Sequence, residues 1–221
     1  MGILRQHLQN ECDPRLPGEL AYSVKEAYSY LRLLINSNPI LQNKEMKKTY
    51  GYLRQGLVDV ALRTVLEKSG LDVSVHMRSA LHNRNGGYTY SMIKAKGAII
   101  SPAKTRSVTA LPRKALHRDI ASAKNRQFDL FTSQEEINQK YDENASPFLL
   151  LTYGGKNNML DYVQLGLPDI KAEMWIEQVD IINAPRIIVN NEENNYDLGL
   201  TLTKFANDIM KGESYGEEDK S

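Results

Sequence analysis

His76, His82 and His117 lie within one stretch of the chain that also carries Lys94 and Arg118. Imidazoles beside an ammonium or guanidinium group can move protons to and from a ribose hydroxyl, which is the chemistry of metal-independent RNA cleavage. Their spacing imposes no common geometry, so no catalytic residue is assigned and these three stand only as candidates. A metal-dependent nuclease would need clustered carboxylates beside a strand lysine. The strand offering lysines, Met92-Ile93-Lys94-Ala95-Lys96, lacks the acid, and Pro168-Asp169 is followed by no Glu-x-Lys. No phosphate-binding P-loop, GxGxxG, GxSxG, HExxH or CxxC pattern is present. No metal or cofactor is therefore expected. The single cysteine, Cys12, sits in a polar stretch beside Asp13-Pro14 and reads as a bystander thiol.

Cations supply the stronger signal. Between Val73 and Phe128 there are eleven Lys/Arg and one acid, Asp119, whereas from Asp129 onward seven Lys/Arg face eighteen Asp/Glu. The net charge of +1 thus conceals a basic middle and an acidic remainder. Such segregation bears on partners and not on fold. Lys94 and Lys96 are two apart on an expected strand and share a face, and Lys104 and Arg106 repeat the spacing. On a helix expected from Pro112 to about Gln127, Arg113, Lys114, His117, Arg118, Lys124 and Asn125 fall within an arc of roughly 140°. Leu116, Ile120 and Ala123 fall on another face and are the expected core stripe. Arg113 and Lys114 would stand in that helix's first turn, where the macrodipole favours acids. Two cations there invite an anion: a nucleic-acid phosphate, or a carboxylate of the chain itself. Tyr88 and Tyr90 share a strand face and could stack on bases. On a second expected helix, from Pro168 to about Val179, Asp169, Glu173, Glu177 and Asp180 form an acidic stripe suited to a protein partner or a second copy.

The elements that must position these groups are read from periodicity. Pro17–Ile35 carries apolar residues at helical spacing and stops at Ser37-Asn38-Pro39. A longer helix is expected from Leu41 to Ser69, kinked or broken at Gly51 or Gly56 and capped at Gly70. From Asp72 the period falls to two, with Val73, Val75 and Met77 facing one way. Asn85-Gly86-Gly87 reads as a turn, and Gly97 separates two further strands. A short helix begins at Ser133. Pro147–Tyr153 is a continuous apolar run, as in a buried central strand, and a second strand follows the Gly154–Asn158 turn. Leu200–Met210 is a last helix, and Lys211–Ser221 an acidic tail expected to be disordered.

The fold expected is α+β: an N-terminal helical pair packed on a small antiparallel or mixed sheet with further helices. Residues 1–72 form the helical part and 73–210 the α+β part, with a basic module at 88–127, as one continuous domain. No apolar run reaches the length of a membrane span and no signal peptide is evident, so a cytoplasmic location is expected. The functional expectation is a non-enzymatic, regulatory protein binding DNA or RNA. The alternatives are a protein-interaction module with charge-complementary faces, and a metal-independent nuclease.

Overall fold

The computed structural model describes residues 2–80, 88–128 and 146–187, all within one compact unit. It is an α+β fold: a six-stranded mixed sheet with helices on both faces. In chain order come α1 (Ile3–Asn10), α2 (Leu16–Ser37), the one-turn α3 (Pro39–Gln42), a 3-10 segment (Lys44–Thr49) and α4 (Tyr50–Lys68). Strands β1 (Val73–Ala80), β2 (Tyr88–Ala95) and β3 (Ala98–Lys104) follow. Then come α5 (Leu116–Ser122), a second 3-10 segment (Ala123–Phe128), and β4 (Phe148–Gly154), β5 (Tyr162–Pro168) and β6 (Trp175–Asp180). The strands lie in sequence order, antiparallel throughout except for the parallel pair β3–β4.

Helix α2 forms where the periodicity placed it. Pro17 occupies its first turn with Glu19, and Leu20, Val24, Ala27 and Leu31 are buried. Asn38 turns extended ahead of Pro39 and ends it. The long second helix needs correction. Its break falls at Asn43, whose backbone is extended, and Gly51 and Gly56 lie inside a continuous α4. Both glycines face open space, so each costs the helix at most about 1 kcal/mol. Burial of Leu57, Val58, Ala61, Leu62, Val65 and Leu66 outweighs that. Helices α2 and α4 pack on each other and on one face of the sheet. There Tyr28 meets Tyr153 edge to face, with ring centroids 6.2 Å apart.

The sequence pattern reports how the sheet is covered. Every residue of β4 and β5 is buried, because both lie mid-sheet between two helical layers. The edge strand β1 shows no alternation of burial: Val73 to Val75 are half-buried and His76 to Ser79 are exposed, with Met77 50% exposed. Gly97 turns β2 into β3 with φ +76°, and a Cβ there would sit 2.5 Å from the Glu11 carbonyl.

Two expected helices differ in the structure. Pro168 to Val179 is not helical: Pro168 ends β5, and Asp169 closes a tight turn into β6. Its Oδ1 accepts from the backbone N–H of Glu173 at 2.6 Å and of Met174 at 3.0 Å. Aromatic and β-branched residues in Trp175-Ile176-Glu177-Gln178-Val179 suit a strand, and pairing with β5 decides the matter. The other helix starts at Leu116 and not at Pro112, since Ala115 is extended at φ −152°. It is also turned about its axis relative to the expected orientation. His117, Ala121 and Ser122 are buried, while the expected core residues Leu116 and Ile120 are 52% and 65% exposed.

Polar partners explain that rotation. Ser122 Oγ donates to the Ile170 carbonyl at 3.2 Å, and His117 Nδ1 lies 2.8 Å from the Tyr88 hydroxyl. Asn125, also expected on the cationic face, has no exposed surface. Its side-chain amide donates to the carbonyls of Phe148 and Pro168 and accepts from the Phe148 N–H, each at 2.8 Å. The Asn85–Gly87 turn, the Ser133 and Leu200–Met210 helices and the 211–221 tail lie outside the described residues, as does His82.

Candidate anion-binding cleft and the groove beside helix α5

The ends of β3 and β4 open into a cavity of about 780 Å³. Lys104 reaches it from the last position of β3, Arg106 from the loop beyond, Arg113 from the extended run before α5, and Arg118 from α5 itself. Asp59 of α4 and Tyr153 of β4 complete the wall from the helical side. Arg118 Nη1 donates to the Arg113 carbonyl at 2.6 Å, which fixes the guanidinium. Its Nε is buried with no hydrogen-bond acceptor among the described residues.

The electrostatics of this cleft are one-sided. Among the described residues no carboxylate lies within 4.0 Å of the charged groups of Lys104, Arg106, Arg113 or Arg118. Burial, and then the neighbouring Arg54 guanidinium, lower the pKa of Lys104, and burial also lowers that of Arg118. At Arg118 the nearby Asp119, Tyr88 and Tyr153 offset burial only in part, and at Lys104 the neighbouring charge is a further cation. The one acid on the wall, Asp59, has its pKa raised by burial, against a hydrogen bond from the Ser91 hydroxyl at 2.6 Å. Arg54 stands behind the cleft, buried, with its guanidinium 5.2 Å above the Tyr28 ring and Nη2 donating to Asn158 Oδ1 at 2.6 Å.

The remaining candidate residues disperse. Lys94 on β2 and Lys124 after α5 border a separate groove, lined also by Arg78 of β1. Lys96 falls in the β2–β3 turn, where its charge helps lower the pKa of Asp13. Lys114 is exposed and pairs with Glu173 at 2.6 Å. Because Arg113 and Lys114 precede the helix, the expected conflict with its macrodipole does not exist, and Asp119 occupies the first turn instead. The acidic helical stripe is likewise absent. Asp169 closes its own turn, Glu173 holds Lys114, and Glu177 accepts the Leu4 N–H at the start of α1 at 2.7 Å.

His117 is buried against two rings. Tyr90 stacks on the imidazole at 3.8 Å with 18° between planes, and the Tyr88 hydroxyl meets Nδ1. Both tyrosines expected to stack on bases are thus in contact with the histidine. Burial, then the Arg118 charge, lower the His117 pKa to about 4, leaving it neutral at pH 7. His76 is exposed on β1 with its Nε2 3.0 Å from Ser74 Oγ. Cys12 is buried and its thiol is pushed up to about 11, chiefly by burial, which removes thiolate chemistry near neutral pH. Among the described residues no three His, Cys, Asp or Glu gather as a metal site would require, and no helix is long and apolar enough to cross a membrane.

Sequence reasoning missed Asp59, Tyr153 and Arg54 because helical and strand periodicity place them in the core layer, not at a site. Arg78 had a signal: it is two positions from His76 on the same strand face, and it pairs in register with Tyr90. No protein-family model, curated protein or solved structure matches the chain.

Proposed function

We propose that this protein binds nucleic acid through its phosphates, without catalysing a reaction on it, in the cleft formed by Lys104, Arg106, Arg113 and Arg118. The observation that carries the proposal is their convergence from four separate backbone positions on one concavity, with no ion-paired carboxylate among the described residues. Bringing cations together costs free energy through mutual repulsion and desolvation, and a polyanion in the cleft offsets that cost. The chemistry for a nuclease is weaker. His117 is neutral and already engaged at Nδ1, so it provides no protonated acid near pH 7.

Four phosphate contacts give a steep salt dependence: log K against log salt should fall with a slope of about −3 for a single strand. Lys104→Glu with Arg113→Glu should abolish binding measured by fluorescence anisotropy, with circular dichroism unchanged. Absence of wild-type binding to single strand and duplex at low salt would overturn the proposal.

A further inference from the structure

The second cavity, on the α5 face of the sheet, has a different chemistry from the cleft. It is a groove of about 300 Å³. Its walls are Tyr90, Met92, Ile99, Leu116 and Ile120, with His117 beside them. Three cations, Arg78, Lys94 and Lys124, stand around these apolar walls, and none of them is ion-paired among the described residues. His117 is 7% exposed, and its Nε2 is buried with no partner among the described residues. The site therefore combines an apolar slot and a cationic border.

We propose that this groove takes one unstacked nucleobase of a single strand, with its flanking phosphates on Arg78, Lys94 and Lys124. The inference rests on the nucleic-acid reading of the cleft and adds the state of the ligand. Each part of the groove selects. The cations call for an anion, and the apolar walls call for a flat or aliphatic body beside it. A base with its flanking phosphates brings a flat body, for the apolar walls, and the anions together in one ligand. The size also fits, since the groove stands at the lower end of the range for small-molecule sites. A duplex keeps its bases stacked inside and cannot fill the slot, so the groove distinguishes single strands where the phosphate cleft does not.

The test uses the full chain and labelled oligothymidylate of about 12 nucleotides, a length within the range of single-strand binding sites. It is compared with the same oligomer carrying abasic residues and with a duplex of equal length. Wild type should bind the intact single strand about tenfold more tightly than the abasic one, the scale of one base–aromatic contact. Ile120→Glu, at an exposed wall position, should erase that difference and leave duplex binding unchanged. Equal wild-type affinity for intact and abasic strands, with salt-dependent binding retained, would overturn the groove and leave the cleft standing. A tenfold preference that Ile120→Glu does not alter would place the base elsewhere and overturn the groove as well. Loss of all binding in the wild type would remove the nucleic-acid reading itself, and this inference with it.

Discussion

Replacing Asn125 with alanine should destabilise the fold by about 4 kcal/mol, and the reason is a proline. The β4–β5 register pairs Leu150 with Gly166, so two steps on Phe148 faces Pro168. An ordinary residue at 168 would offer an N–H to the Phe148 carbonyl, and proline has none. Asn125 inserts its amide at this gap. Nδ2 donates to the carbonyls of Phe148 and Pro168, and Oδ1 accepts from the Phe148 N–H, each at 2.8 Å and with no exposed surface. Alanine would leave three backbone groups buried without a partner. At about 1 to 3 kcal/mol for each such group, and allowing one to find water, the loss is about 4 kcal/mol. Urea unfolding followed by circular dichroism measures it, with an unchanged m-value expected because the surface exposed on unfolding is the same. Asn125→Asp should be at least as costly, since an oxygen would replace the donor facing two carbonyls. A loss below 1 kcal/mol for Asn125→Ala would refute the argument that this amide replaces a missing rung.

Two further outcomes follow from buried ionisable groups. His117 has a pKa near 4 in the fold against 6.5 in the unfolded chain, so below pH 6.5 the unfolded state takes up a proton that the folded state refuses. Its contribution is intact above pH 6.5 and is lost as pH falls toward 4, by about 3 kcal/mol. His117→Gln should flatten the stability profile over that window, and parallel wild-type and variant profiles would contradict it. Arg186 pairs with the buried Glu19 at 3.1 Å and lies 3.8 Å above the Tyr22 ring. Arg186→Ala should lower stability by about 3 kcal/mol, because it removes one partner of a pair whose other carboxylate is 5% exposed. A change under 1 kcal/mol in denaturant unfolding would show that the pair is effectively solvated.

The parts of the fold legible in the sequence were those where burial is uniform. The run from Phe148 to Tyr153 is apolar at nearly every step because both sheet faces are covered, and α2 shows a clean stripe because one face is. Failures arose where polar side chains were needed inside. On α5 and the 3-10 segment after it, His117, Ser122 and Asn125 turn inward because Tyr88 and free backbone groups of β4, of β5 and of the turn after it offer partners, while Leu116 and Ile120 turn outward. Nothing local to the α5 segment signals those distant partners. For Asp169 to Val179 the acidic spacing suited a helix, and the ladder with β5 overrode it. The basic module was visible as composition. Its division between a cleft and a groove depends on the start and rotation of α5, neither of which the periodicity of that segment gives.

The parallel seam between β3 and β4 has a meaning for how the chain assembles. Strands β1 to β3 and β4 to β6 are each joined in sequence order by antiparallel pairing between immediate neighbours. Such meanders close over short stretches of chain, on the timescale of hairpins. Ile99 and Phe148 come together only after the whole crossover bearing α5 has been looped back. The entropy of chain closure is therefore concentrated at one line through the middle of the sheet. Arg113 and Arg118 ride on that crossover while Lys104 ends β3, so the cationic cleft comes into being when the two halves of the sheet meet.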